Sequence, residues 1–174
     1  MYRITVKHTI EAAHRLLHPN SPAKCRNIHG HRWVVELTLA GSVLDERGMV
    51  VEFGQIKQAW KSWLDSHLDH VLILHEKDPL LKAILSVEPN HRIYYLAGEP
   101  TAENLAQLLY NQAQKIIEDM PGVWVEKVQV AETESNIVEC LGKAVVAFDY
   151  NSLASTEIAL ASGNFIEQLQ STRA

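Results

Sequence analysis

His29-Gly30-His31-Arg32-Trp33-Val34-Val35-Glu36-Leu37-Thr38-Leu39 alternates along its length, with Trp33, Val35, Leu37 and Leu39 on one parity and Glu36 and Thr38 on the other. Successive side chains of a strand point to opposite faces, so this stretch reads as a strand with one apolar face. His29 and His31 share the apolar parity. Tyr2 to His14 behaves the same way: Ile4, Val6, Ile10 and Ala12 share a face with His8 and His14. The two strands pair as a hairpin across Arg15 to Ile28, a loop rich in Pro, Asn and Ser and long enough to suggest a role of its own.

Outward from this hairpin, Gly41 to Met49 reads as a turn and Val50 to Phe53 as a short strand end. From Gly54 the period changes, and Ile56, Trp60, Trp63 and Leu64, with Ala59 and His67, line one helical face. Leu68-Asp69-His70 follows it. Between Glu76 and Gly98 the signals are weaker: a short helix near Leu80 to Leu85 and a strand at Arg92 to Leu96. Pro100-Thr101 opens a second long helix, with Thr101 as N-cap, Glu103 in the first turn and Leu105, Leu108, Leu109, Ile116 and Ile117 inward. Pro121-Gly122 stops it. Val123 to Glu132 and Val138 to Phe148 form a second hairpin across Glu134-Ser135-Asn136. The expected class is α+β, an antiparallel four-stranded sheet with two main helices on one face. Residues 1–150 form one domain, and 151–174 extend it as an appended helix or a loose tail.

The chain has 174 residues, 47% of them apolar, enough for one domain with a core that needs no disulfide. Cys25 and Cys140 lie far apart and form no CxxC pair. A net charge of −5 without a basic block argues against a nucleic-acid surface. The N-terminus lacks the apolar run of a signal peptide, and no stretch is long enough to span a membrane, so a soluble cytoplasmic protein is expected.

Nine histidines is a high count for this length, and three of them converge. His29 and His31, two apart on a strand, project the same way, as two ligands of one metal require, and Gly30 admits a close backbone. His14, at the end of the partner strand and on its inward parity, supplies a third nitrogen. Three imidazoles without a thiolate leave a fourth position open, as catalytic zinc sites do. An isolated His-x-His is more often an ordinary strand pair; His14 in register and Cys25 nearby favour the metal. Cys25 lies between Lys24 and Arg26, and these cations favour its thiolate. Cys140, within an apolar run, reads as a small core residue. Asp69-His70 sets a carboxylate beside an imidazole at a helix end, a weak signal alone. Glu132 follows Val128 and Val130 on one parity, so its carboxylate either needs a partner or emerges into water at the strand end. A heterocycle presenting an amino group and a ring N–H would satisfy it.

Six motifs in order, Glu11-Ala12-Ala13-His14, Cys25-x-x-x-His29-Gly30-His31, Gly48-Met49-Val50-Val51-Glu52-Phe53, Leu68-Asp69-His70, Pro100-Thr101-x-Glu103-Asn104-Leu105-Ala106 and Glu132-Thr133, resemble the 6-pyruvoyltetrahydropterin synthase family. Within it, Cys25 four residues before His29 resembles the bacterial 6-carboxytetrahydropterin synthases. The resemblance implies the tunnelling fold, with subunits assembled as a homo-oligomer and active sites at their interfaces. It implies Zn2+ on His14, His29 and His31, Cys25 as general base, and Asp69 and His70 completing proton transfer. Glu132, with Thr101 and Glu103, is expected to bind the pterin. The implied reaction converts 7,8-dihydroneopterin triphosphate to 6-carboxy-5,6,7,8-tetrahydropterin, acetaldehyde and triphosphate, on the route to queuosine. Glu52 where the family often has Asp, Leu74 where an Asn is common, a stretch from His75 to Gly98 longer than in the shortest members, and a tail beyond Tyr150 depart from the pattern.

Overall fold

The computed structural model describes residues 1–142, and the expected strand beyond Gly142, the domain end at 150 and the extension 151–174 lie outside the described residues. Strand β1 (Tyr2–His14) and strand β2 (His29–Gly41) pair antiparallel over their whole lengths, from Tyr2 opposite Gly41 to His14 opposite His29. The hairpin and its parity are therefore as the alternation implies. The connecting loop carries one helical turn, α1 (Ala23–Arg26).

Helix α2 (Phe53–His67) buries Ile56, Trp60 and Leu64, one apolar stripe at helical spacing. Strand β3 (Val71–His75), helix α3 (Pro79–Val87) and strand β4 (Ile93–Leu96) follow, then helix α4 (Ala102–Ile116). Strands β5 (Val123–Ala131) and β6 (Ile137–Leu141) form the second hairpin. Thr101 caps α4, its hydroxyl accepting the Asn104 N–H, and Asp78 caps α3 through the Leu80 N–H.

The sheet runs β4-β3-β1-β2-β5-β6. Its four long-range antiparallel partners β1, β2, β5 and β6 are the expected sheet; β3 and β4 add two short parallel strands at one edge, making six. The sequence hid β3 because Val71 to Leu74 are all buried, so no alternation marks them. The expected strand end at Val50 to Phe53 does not form. Asp45 accepts the backbone N–H groups of Arg47 and Met49, which closes a turn, and Phe53 already begins α2. A register shift between Thr38 and Leu39 rephases β5, so that Val125 and Val128 both point inward.

One core lies between the sheet and the two long helices. Val6, Ile10, Trp33, Val35, Leu37, Val128 and Val130 face Ile56, Trp60, Leu64, Leu105 and Leu109. The other sheet face is polar, with cross-strand pairs Lys7–Glu36, Arg32–Glu11 and Thr5–Thr38. Among the described residues no helix is long and apolar enough to cross a membrane.

Candidate metal centre

His14, His29 and His31 stand at the end of the β1–β2 hairpin, where the inward face of the sheet meets the loop. One ring nitrogen from each lies within 4.8 Å of the others. Trp33, the next inward residue on β2, packs edge-on against His14 and His31 at 5.0 and 5.3 Å and forms the apolar floor. Its indole N–H donates to the Ala12 carbonyl at 3.2 Å, so the floor is itself fixed.

The tautomers follow from the partners. His14 Nδ1 lies 2.7 Å from the Pro100 carbonyl and His29 Nδ1 lies 2.8 Å from the Asn27 carbonyl. A carbonyl oxygen only accepts, so both Nδ1 atoms carry the proton and both Nε2 atoms present lone pairs in the neutral rings. Those two Nε2 atoms are 3.1 Å apart, and His31 Nε2 is buried with no hydrogen-bond partner. The two lone pairs repel one another unless a cation lies between them, and the unpartnered His31 Nε2 is directed at the same small space. Backbone carbonyls orienting the far nitrogens of ligating histidines is the usual arrangement of a zinc site. The donor set fits Zn2+: three neutral imidazoles and room for a further ligand.

Burial, above all, pushes His14 and His31 below the ordinary imidazole pKa, and the neighbouring rings add to it. Both rings are therefore held neutral, the form that binds metal. Glu132 comes from the end of β5, its Oε1 3.6 Å from His14 Nε2 and 3.7 Å from His31 Nε2. Its backbone N–H donates to the Asn136 carbonyl, which fixes the hairpin end that carries it. A groove along the polar sheet face, lined by Lys7, Arg32, Glu36 and Gln129, also takes in His31 and Glu132. Glu132 thus reaches the metal centre from a strand far away in sequence.

The remaining expected residues are distributed differently. Cys25 sits half-buried on α1, its carbonyl accepting the Leu16 N–H at 2.8 Å, which folds the loop back onto the end of β1. Its thiol is not within ligand reach of the three imidazoles. Thr101 and Glu103 occupy the cap and first turn of α4, next to Pro100, whose carbonyl holds His14. The sequence does not mark Pro100 as a site residue, because a proline before a helix cap predicts its backbone shape but not the target of its carbonyl.

Asp69 and His70 form a hydrogen-bonded pair of their own, just before β3. Asp69 Oδ2 accepts the His70 Nδ1–H at 2.6 Å, and its Oδ1 accepts the Glu11 N–H at 2.9 Å. Burial raises the Asp69 pKa, but these bonds and the nearby imidazoles outweigh it and leave the net shift downward. His70 is 75% exposed and has φ 55°, a left-handed conformation that costs an ordinary residue about 1–2 kcal/mol. Its hydrogen bonds run to Asp69 and the Glu11 carbonyl, and none reaches His14, His29 or His31.

The sequence model of the family described as 6-pyruvoyl tetrahydropterin synthase matches residues 3–143. The 6-carboxy-5,6,7,8-tetrahydropterin synthase of Rickettsia bellii is 38% identical over 140 residues, spanning 80% of this chain and 99% of its own. The protein of the same name from Aquifex aeolicus is 33% identical over 67% of this chain and 75% of its own. Among solved structures, an uncharacterized protein of Wolinella succinogenes superposes with TM-score 0.70 at 23% identity, covering 82% of this chain and 98% of that one. The Caenorhabditis elegans 6-pyruvoyl tetrahydropterin synthase does so with TM-score 0.58 at 24% identity, again over 82% and 98%. The fold is theirs, an α+β tunnelling fold, and the chain belongs to the 6-pyruvoyl tetrahydropterin synthase family.

Proposed function

We propose that this chain is a zinc-dependent 6-carboxytetrahydropterin synthase, taking 7,8-dihydroneopterin triphosphate to 6-carboxy-5,6,7,8-tetrahydropterin, acetaldehyde and triphosphate. The observation that carries the proposal is the convergence of three imidazole nitrogens with the Glu132 carboxylate beside them. The relatives named for this activity, and Cys25 set four residues before His29, support the carboxy-forming reaction over the pyruvoyl-forming one.

His14, His29 and His31 would hold Zn2+, which when bound supplies positive charge that acidifies the hydroxyls of the substrate side chain. Glu132 accepts hydrogen bonds from the amino group and ring N–H of the pterin, both carboxylate oxygens serving at once. Thr101 and Glu103, at the start of α4, complete the pterin pocket. Cys25, as thiolate, removes a carbon-bound proton. His70, oriented through its Nδ1–H by Asp69, presents Nε2 to give and take protons at substrate oxygens. The exposure of His70, whose hydrogen bonds run to Asp69 and Glu11 and not to the three imidazoles, supports an active site shared between copies of a homo-oligomer, and the expected location remains the cytoplasm.

The test is incubation of the zinc-loaded protein with dihydroneopterin triphosphate and identification of products by mass. Acetaldehyde with a carboxypterin supports the proposal. A pyruvoyl product assigns the other reaction of the family, and tight pterin binding without turnover assigns a binding protein.

A further inference from the structure

Arg92 lies just before β4, and the proposed chemistry leaves it without a role. Its Nη2 donates to three carbonyls, those of Asp65 at 3.3 Å, Ser66 at 3.3 Å and Asp69 at 3.0 Å. Asp65 and Ser66 belong to the last turn of α2, where carbonyls have lost their helical partners. The Asp69 N–H goes back to Leu64 and the His70 N–H goes to the Glu11 carbonyl at 2.7 Å, so neither can serve them. A guanidinium also suits the negative end of the helix dipole.

The third carbonyl is the informative one. It belongs to the peptide that joins Asp69 to His70, the unit that carries the acid–base pair. Arg92 holds that peptide at its oxygen, and Glu11 holds it at its nitrogen. Glu11 also donates its own N–H to the Asp69 carboxylate. The Arg92 carbonyl is in turn fixed by the Leu72 N–H at 3.0 Å, tying the guanidinium's root to β3. His70, meanwhile, keeps a left-handed φ of 55°, a conformation that a non-glycine residue holds only when its surroundings impose it.

We propose that Arg92 is a positioning residue for the Asp69–His70 pair, holding the end of α2 and the Asp69–His70 peptide so that His70 keeps the orientation its proton transfer needs. This rests on the proposed role of that pair. The guanidinium does so through one nitrogen shared by three carbonyls, which a lysine ammonium reproduces only in part. Arg92 itself touches neither the metal centre nor the groove beside Glu132.

The experiment uses the full zinc-loaded protein and its Arg92→Ala and Arg92→Lys variants, each also in the His70→Ala background. Misplacement of an acid–base group by a fraction of an ångström is worth about 10-fold or more in rate, so kcat of Arg92→Ala should fall by about that factor. KM for dihydroneopterin triphosphate and the zinc content should stay unchanged, and Arg92→Lys should recover part of kcat. In the His70→Ala background Arg92→Ala should have little further effect, because the two act as one unit. Amide exchange at His70 should quicken, since its N–H bond to Glu11 loosens with the peptide. A kcat loss of equal size with and without His70 would overturn the proposal, as would a raised KM at constant kcat. Should the wild type itself not turn over, the proposed function has failed and the exchange rate decides Arg92 alone: faster in Arg92→Ala supports positioning, unchanged overturns it. Should Arg92→Ala not fold, the same comparisons on Arg92→Lys decide.

Discussion

Nε2 of His14 faces Nε2 of His29 across 3.1 Å, with the opposite nitrogen of each ring donating to a backbone carbonyl. Neither ring can relieve the contact by turning over, because that would break the carbonyl bond and direct a second lone pair at an acceptor. A bound cation relieves it at once. Loss of any one imidazole should therefore lower zinc affinity by more than the about 100-fold that loss of an outer partner costs. Metal analysis of dialysed His31→Ala checks this, and zinc retained at wild-type affinity would mean that the three imidazoles do not form the metal site.

Cys25 stands outside ligand reach of the triad. The variant Cys25→Ala should keep its zinc while turnover falls about 10²- to 10⁴-fold, the usual contribution of a positioned base. Zinc lost with the thiol would instead make it a ligand.

Glu132 lies close to two of the imidazoles while lining the groove. Replacing it by Gln removes the charge from two hydrogen bonds, a loss of about 1.5–3 kcal/mol that should appear as a higher KM. An unchanged KM would place the pterin elsewhere.

Burial holds His14 and His31 below the ordinary imidazole pKa in the folded chain. The unfolded chain, at about 6.5, then binds more protons, so stability rises with pH through this window and falls on acidification. Thermal melts of the metal-free protein from about pH 7.5 to 5.5 should show Tm falling, and less steeply in His14→Ala/His31→Ala. Zinc should steepen the dependence, because it binds only the neutral rings. Equal slopes in the wild type and the double variant would contradict this reading.

Asp78 is 2% exposed and holds Arg15, next to His14, through two bonds of 2.8 and 2.5 Å while capping α3. Burial raises its pKa, but Arg15 and the Leu80 N–H outweigh it and the net shift is downward. Its stabilising effect is therefore present above about pH 4 and is lost as pH falls through the lower folded value. Asp78→Ala should cost about 2 kcal/mol at neutral pH, from the lost cap and the unpaired guanidinium, as read from urea unfolding. A change within about 0.5 kcal/mol, the range of ordinary surface substitutions, would make the pair incidental.

The alternation of Tyr2 to His14 and His29 to Leu39 sufficed to pair β1 with β2 and to set His14, His29 and His31 on one inward face. Period-2 geometry allows no other outcome once Trp33 and Leu37 are buried, which is why the metal centre was legible. Strand β3 is not legible, because a strand buried on both faces carries no alternation, and the strand end expected at Val50 to Phe53 does not form because the chain leaves the Asp45–Met49 turn and enters α2 at Phe53.

What the sequence determined by itself was local: strand parity, helix stripes, caps and the convergence of three imidazoles on a hairpin. What only the tertiary structure decided was which distant groups meet them. The Pro100 carbonyl on His14, Glu132 beside His31 and Arg92 under the Asp69–His70 peptide all join residues from separate elements. Such contacts depend on how the sheet's order and the helix ends bring chain segments together, and no periodicity within a segment encodes them.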